Sequence, residues 1–238
     1  MTKTQRMTDG VVVFVLLVLA GFLYYAAPVH PQVSLTEAPS LVRAQPIPGL
    51  ERGTGANIAL QVRDFSGARW RADNVTVVSN AGIGPDRAKT AYRLIETNVD
   101  GFHRIETKIT GASPGQFNTV SLFVKAAERS GIRFEMRDEQ PGKYGIVVFD
   151  LLQKVITGGS GDVSDAGMQE LPDGWYRCWA AMPFATGTAV FNFALLAEDG
   201  AGTYPGNGRS GLLIWGVQFE PGDDRPRGYF DGERRAKQ

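Results

Sequence analysis

The sequence has almost no cysteine and almost no histidine. Cys178 is the single cysteine, so no disulfide can form within the chain. Its position on the apolar side of an alternating stretch reads as a small buried core residue. It lies too far from the N-terminus to serve as a lipid anchor. With only His30 and His103, a zinc site of the Cys/His kind is excluded by numbers. His30 falls among prolines, and His103 in a strand pattern reads as a structural hydrogen-bonding group. Net charge is missing too. The 25 basic residues are matched by 25 acidic ones, whereas a nucleic-acid binder needs a basic excess. No repeat of the solenoid or propeller kind occurs, and no helical period appears in the larger part of the chain.

One long apolar run stands out against these absences. Val11–Ala27 is 17 residues without a charge. As a helix it would span about 25 Å, near the lower limit for a bilayer core. The apolar side chains Val11, Phe14, Leu17 and Phe22 would face lipid, and Tyr24 and Tyr25 would sit in the interfacial aromatic belt. Lys3 and Arg6 precede the run, and the next basic residue after it is Arg43. The positive-inside rule then puts residues 1–10 in the cytoplasm and the rest outside. A cleaved signal peptide is the competing reading, but Pro28 would follow the cut after Ala26-Ala27 and the run is long for a signal sequence. The expectation is therefore a single-pass protein of the inner membrane with its main domain on the periplasmic or extracytoplasmic side. Residues 28–50 contain Pro28, Pro31, Pro39, Pro46 and Pro48 and read as an extended linker.

Residues 51–238 read as one β-domain. The clearest stretch is Leu171–Phe184. Pro172-Asp173-Gly174 is a turn signal, and the residues after it alternate. Tyr176, Cys178, Ala180, Met182 and Phe184 form an apolar face, with Trp175, Arg177 and Trp179 opposite. Similar strand patterns are expected over Ile58–Arg63, Val75–Ser79, Ala91–Glu96, Phe102–Ile109, Val120–Ala126, Ile132–Arg137, Ile146–Leu152 and Phe191–Leu195. Leu213, Trp215, Val217 and Phe219 read as the last apolar face, and the continuous run Ile146–Leu152 as a central strand. Turns are expected at Gly111–Gly115, Gln140–Gly145, Gly158–Gly161 and Gly200–Gly208. The pattern predicts an all-β jelly-roll sandwich carrying one N-terminal transmembrane helix.

Gly206-Asn207-Gly208-Arg209-Ser210-Gly211 matches a dinucleotide-binding string, but such a site needs a strand before it and a helix after it; here a β-strand follows, and the string reads as a turn. Gly158-Gly159-Ser160-Gly161 lacks nucleophile-elbow spacing and reads as a loop. No catalytic constellation emerges, and the chain reads as non-enzymatic.

Several segments together resemble a family of jelly-roll domains of the carbohydrate-binding-module type. They are Trp70, Asn74-Val75-Thr76-Val77, Asn80, Pro85-Asp86 and Thr90-Ala91-Tyr92-Arg93-Leu94, then Phe102-His103, Val120–Ala126 and Phe149-Asp150-Leu151. Gly174-Trp175-Tyr176-Arg177-Cys178, Ile214–Glu220 and Tyr229 complete the resemblance, which covers about residues 57–231. Such domains occur in phage structural proteins and in bacterial surface or secreted proteins, and the transmembrane run is not part of their pattern. Trp70, Trp175 and Trp215 fall on framework positions of this resemblance, and Trp179 is an addition. The resemblance also implies that a structural Ca²⁺ could be held, with Glu96, Asp150, Asp199, Asp223 and Asp224 as oxygen donors, although no acidic run has the spacing of a known Ca²⁺ loop. Turn-capping is the alternative for those carboxylates. No other cofactor is implied.

Two functions follow as expectations. The first is an accessory subunit of a membrane protein complex, its sandwich making protein contacts outside the bilayer. The second is a membrane-tethered module that binds polysaccharide of the cell envelope. In either case Trp175, Arg177 and Trp179 are the candidate contact residues, since an arginine between two indoles offers cation–π stacking worth about 0.5–2 kcal/mol. The same face could equally be packed beneath another part of the chain.

Overall fold

The structure, a computed structural model, describes residues 60–229. The expected anchor over 11–27, with Val11, Phe14, Leu17, Phe22, Tyr24 and Tyr25, and the linker over 28–50 lie outside the described residues. Among the described residues no helix is long and apolar enough to cross a membrane.

The described residues form fifteen strands in order: β1 Leu60–Val62, β2 Arg71–Asp73, β3 Val75–Gly82, β4 Ala91–Glu96, β5 Asp100–Gly101, β6 Arg104–Thr110, β7 Phe117–Ala126 and β8 Gly131–Asp138. There follow β9 Tyr144–Asp150, β10 Val155–Gly161, β11 Asp165–Glu170, β12 Trp175–Pro183, β13 Thr188–Leu195, β14 Tyr204–Pro205 and β15 Gly211–Pro221. A 3₁₀ turn, Pro172–Gly174, precedes β12, with Gly174 at the positive φ expected of it and Asp173 at positive φ as well.

The first sheet has the order β11-β12-β7-β15-β4-β3, with β1 added against β15, and the second β10-β9-β8-β13-β6-β2. Within them lie eight principal strands: β4, β6, β7, β8, β9, β12, β13 and β15. Taken in chain order, these place the first, eighth, third and sixth in one sheet and the second, seventh, fourth and fifth in the other. That is the jelly-roll arrangement of two Greek keys. It explains why five of the six pairings among these principal strands join strands that are not consecutive in the chain.

Alternation builds the core between the sheets. Leu94, Val120, Leu122, Val124, Tyr176, Cys178, Ala180 and Met182 meet Ile105, Phe134, Phe149, Phe191 and Phe193 from the other side. Burial pushes the Cys178 thiol pKa up, which keeps it protonated and unreactive. Ile146–Leu152 yields most of the interior strand β9, whose Val147 and Phe149 are fully buried, while Ile146 and Val148 lie on the other face, part-exposed.

Three expectations are corrected. Gly158–Gly161 is not a loop but the end of strand β10. Glycines form this strand because it is an edge, paired with β9 alone and bulged at Thr157, where packing demands are small. His103 lies between β5 and β6 rather than on a strand. Leu213, Trp215, Val217 and Phe219 do not share a face. A bulge between Trp215 and Val217, with Gly216 at φ 49°, exchanges the sides of β15 midway. Val217 and Phe219 enter the main core, whereas Trp215 and Leu213 join a second cluster on the outside of the sheet.

Candidate functional site

The two outer faces of the sandwich have opposite characters. The outside of the first sheet is filled by the chain itself. Phe123, Trp175, Trp215, Leu171, Ala91 and Tyr229 form an aromatic cluster there. Trp215 packs 5.2 Å from Phe123 and 4.9 Å from Tyr229, centroid to centroid. The indoles are anchored by their N–H groups, Trp175 to the Ile83 carbonyl at 3.2 Å and Trp215 to Thr90 Oγ1 at 3.0 Å. The segment after β15 closes over this cluster. Tyr229 fits there because Gly216 beneath it has no side chain; a Cβ would come within 2.6 Å of the Tyr229 oxygen.

Arg177 holds the same segment. It donates to the Arg227 carbonyl at 2.5 Å and to Ser121 Oγ at 3.0 Å, while Glu220 accepts the Arg227 N–H at 2.9 Å. Arg177 and Glu220 stand 3.9 Å apart, both buried. Burial dominates at that distance. It lowers the Arg177 pKa to about 10, against the pull of Glu220, and raises that of Glu220.

Of the three expected contact residues, Trp175 is 2% exposed and Arg177 5%, both with their polar groups engaged inside the protein. Only Trp179 keeps partial exposure. Its indole lies on the backbone of Gly167, where a Cβ would fall 2.0 Å from the ring, and its N–H reaches Asp165, which also meets Arg225.

The outside of the second sheet is polar. β13 runs along its middle with the small side chains Thr188, Val190, Asn192 and Ala194 facing out. Longer side chains of β6 and β8 rise on both sides in register. Ala194 lies between Arg104 and Arg133, Asn192 between Glu106 and Glu135, and Val190 between Lys108 and Arg137. The result is a trough with two cationic rows flanking an anionic one, the rows about 7 Å apart. Arg137 reaches across to Glu106 at 2.5 Å and lies 3.4 Å from Glu135, which also pairs with Arg133 at 2.7 Å. Arg104 pairs with Asp73 at 3.3 Å, Arg71 approaches Glu106 at 3.9 Å, and Lys108 pairs with Glu139. On the trough floor Asn192 is 1% exposed, yet its Nδ2 has no acceptor. Buried amides are nearly always satisfied, so this donor is available to an acceptor placed in the trough. Sequence reasoning named none of these as site residues. The alternation of Arg133, Glu135 and Arg137 was visible, but only strand order places Glu106 and Asn192 beside them.

The acidic residues considered for Ca²⁺ do not converge. Among the described residues no three His, Cys, Asp or Glu side chains are grouped to hold a metal. Asp150 caps the turn at Leu152 and Gln153, Asp199 accepts the Ala201 N–H, Asp223 pairs with Arg227, and Asp224 is exposed. Glu96 is buried and takes both Arg129 nitrogens at 2.8 Å, the Tyr204 hydroxyl at 2.9 Å and the Asn207 N–H at 3.0 Å. Burial alone would raise its pKa, but these donors together hold it below the usual carboxylate value. Beside this hub, the ring nitrogens of His103 face the Asn74 carbonyl at 2.8 Å and the Tyr204 carbonyl at 3.1 Å. His103 thus ties the β2–β3 turn to β14. The Gly206–Gly211 string is a loop docked on Glu96, followed by β15.

No protein-family model matches the chain, and no curated protein matches it. Solved structures are similar in part. The CBM22-1 xylan-binding domain of Paenibacillus barcinonensis Xyn10C aligns at 12% identity and a TM-score of 0.43, over 71% of this chain and 97% of that one. TmCBM61 in complex with β-1,4-galactotriose aligns at 13% identity and a TM-score of 0.37, over 64% and 87%. The enzymatically active domain of tailspike protein 4 from bacteriophage CBA120 aligns at 15% identity and a TM-score of 0.39, over 64% of this chain and 19% of that one. The chain therefore spans about a fifth of the tailspike fragment.

Proposed function

We propose that the protein is a non-catalytic glycan-binding module and that the polar outer face of its second sheet is the binding face. The buried, unsatisfied amide of Asn192 carries this reading. It sits at the centre of a trough whose walls present guanidinium and carboxylate groups, and whose Arg71, Lys108 and Arg137 side chains remain 70%, 61% and 43% exposed. Planar amide, carboxylate and guanidinium groups suit the paired donors and acceptors of sugar hydroxyls. This is the second of the two sequence-based expectations. The first, an accessory subunit of a membrane complex, rested on residues 1–50, outside the described residues. With the anchor expected over 11–27, the module would stand tethered on the outer side of the inner membrane. Trp179 is a subsidiary contact in this reading.

The test is retention of the full chain, in mild detergent, on a panel of immobilised polysaccharides. We expect at least one polysaccharide to retain it, and Asn192→Ala to abolish retention without lowering the melting temperature. Failure of every polysaccharide to retain the protein, or equal retention of Asn192→Ala, would overturn the proposal.

A further inference from the structure

We infer that the bound glycan carries carboxylate groups, and that Arg104 and Arg133, converging on Phe102, receive one of them. This rests on the glycan-binding reading and adds the charge of the ligand. Arg104 and Arg133 flank Ala194 from the two neighbouring strands, which puts their Cα atoms about 10 Å apart. Ala194 offers only a methyl group between them. Both guanidinium groups reach the same aromatic ring, 5.5 and 5.7 Å from the Phe102 centroid. The ring is 37% exposed, at the open end of the trough. A third element closes in from the loop after β13. A Cβ on Gly202 would lie 3.4 Å from the Phe102 ring and 3.6 Å from Arg133 Nη1.

The charges along the trough are not balanced. Arg71, Arg104, Lys108, Arg133 and Arg137 share four carboxylates, Asp73, Glu106, Glu135 and Glu139. Each guanidinium has five donors in a rigid fork. Arg104 gives Nε to Asp73 and Arg133 gives Nη2 to Glu135, and the buried Arg133 Nε has no acceptor. A ligand carboxylate supplies the missing negative charge and acceptor at once. Two fixed guanidinium forks around one ring hold it better than lysines would, because the forks match a planar anion. A chain with successive carboxylates can also meet the second cationic row, Lys108 and Arg137, about 14 Å along the trough. The ligand class is a polysaccharide containing hexuronic acids.

The experiment is affinity electrophoresis of the full chain in mild detergent, through gels containing polygalacturonate, alginate, methyl-esterified pectin, a sulfated polysaccharide, or neutral galactan and xylan. Retardation by at least one of the two uronate polymers is expected, weakened tenfold or more by esterification and by raised salt. Arg104→Gln with Arg133→Gln should weaken it as much, and Phe102→Leu by a smaller factor, each compared at equal folded fraction from melting curves. The comparison of free acid with ester uses the unaltered protein, so it holds even if a variant fails to fold. Binding to neutral or sulfated polymers without a preference for free carboxylates overturns this inference and leaves the glycan-binding reading standing. Retardation by no polymer overturns both.

Discussion

The two outer faces of the sandwich differ in what completes them. On the first sheet, aromatic side chains are covered by a segment of the same chain, and the Arg177 guanidinium beneath it is held internally by Ser121, the Arg227 carbonyl and the charge of Glu220. On the second, ion pairs line a trough with an amide on its floor that nothing satisfies. A face sealed by its own chain contributes to stability. A face left with orphaned donors gives up stability that a ligand can restore. The difference also shows why aromatic residues are a poor guide to binding in this fold. Three of the four tryptophans, Trp70, Trp175 and Trp215, are buried structural groups.

The contrast can be broken most forcefully on the sealed face. Trp215→Ala should cost about 3–5 kcal/mol, because it removes a fully buried indole and exposes the Tyr229 contact. A denaturant melt should show that loss, while glycan retention per folded molecule stays unchanged. A loss of binding with little loss of stability would reverse the assignment of the faces.

A second test concerns the hub between the loops. The Glu96 pKa is held low in the folded protein, so its contribution to stability is complete above the ordinary carboxylate range and is lost as pH falls below about 4. Glu220 has the opposite sign: its raised pKa means that its ionisation costs stability as pH rises through that value. Glu96→Gln should therefore cost about 1–3 kcal/mol at neutral pH and flatten the acid limb of a stability–pH curve. An acid limb unchanged by that substitution would assign the pH dependence elsewhere.

Gly167→Ala sharpens the comparison at the margin of the sealed face. Its new methyl collides with the Trp179 ring and should turn the indole outward, at a cost of about 1–3 kcal/mol and with red-shifted tryptophan emission. Asn192→Ala is the smallest expected effect on folding, within about 0.5 kcal/mol, since its Nδ2 makes no hydrogen bond to lose. A cost above 2 kcal/mol would show Asn192 to be a structural group.

Much of this fold could be read from alternation. Ala91–Glu96 is a strand with the expected bounds, and Cys178 and Trp179 do lie on opposite faces of β12. What escaped were features that alternation does not encode. Gly216 shifts the phase of β15, and no residue pattern distinguishes that bulge from an ordinary strand glycine. The short or weakly patterned strands β2, β5, β11 and β14 depend on neighbours supplied by the fold. The candidate trough was hidden for the same reason. Glu106, Glu135 and Asn192 are widely separated in sequence, and pairing of β13 with both β6 and β8 brings them together.

The seat of Tyr229 on Gly216 bears on how the domain can be cut. A fragment ending at residue 221 would contain all fifteen described strands, yet it would leave the Trp215 and Phe123 rings without their cover. The unit of cooperative folding thus extends beyond the last strand by at least the eight residues to Tyr229. A protease nick within that short stretch would act as a core mutation does, although every β-ladder remained intact.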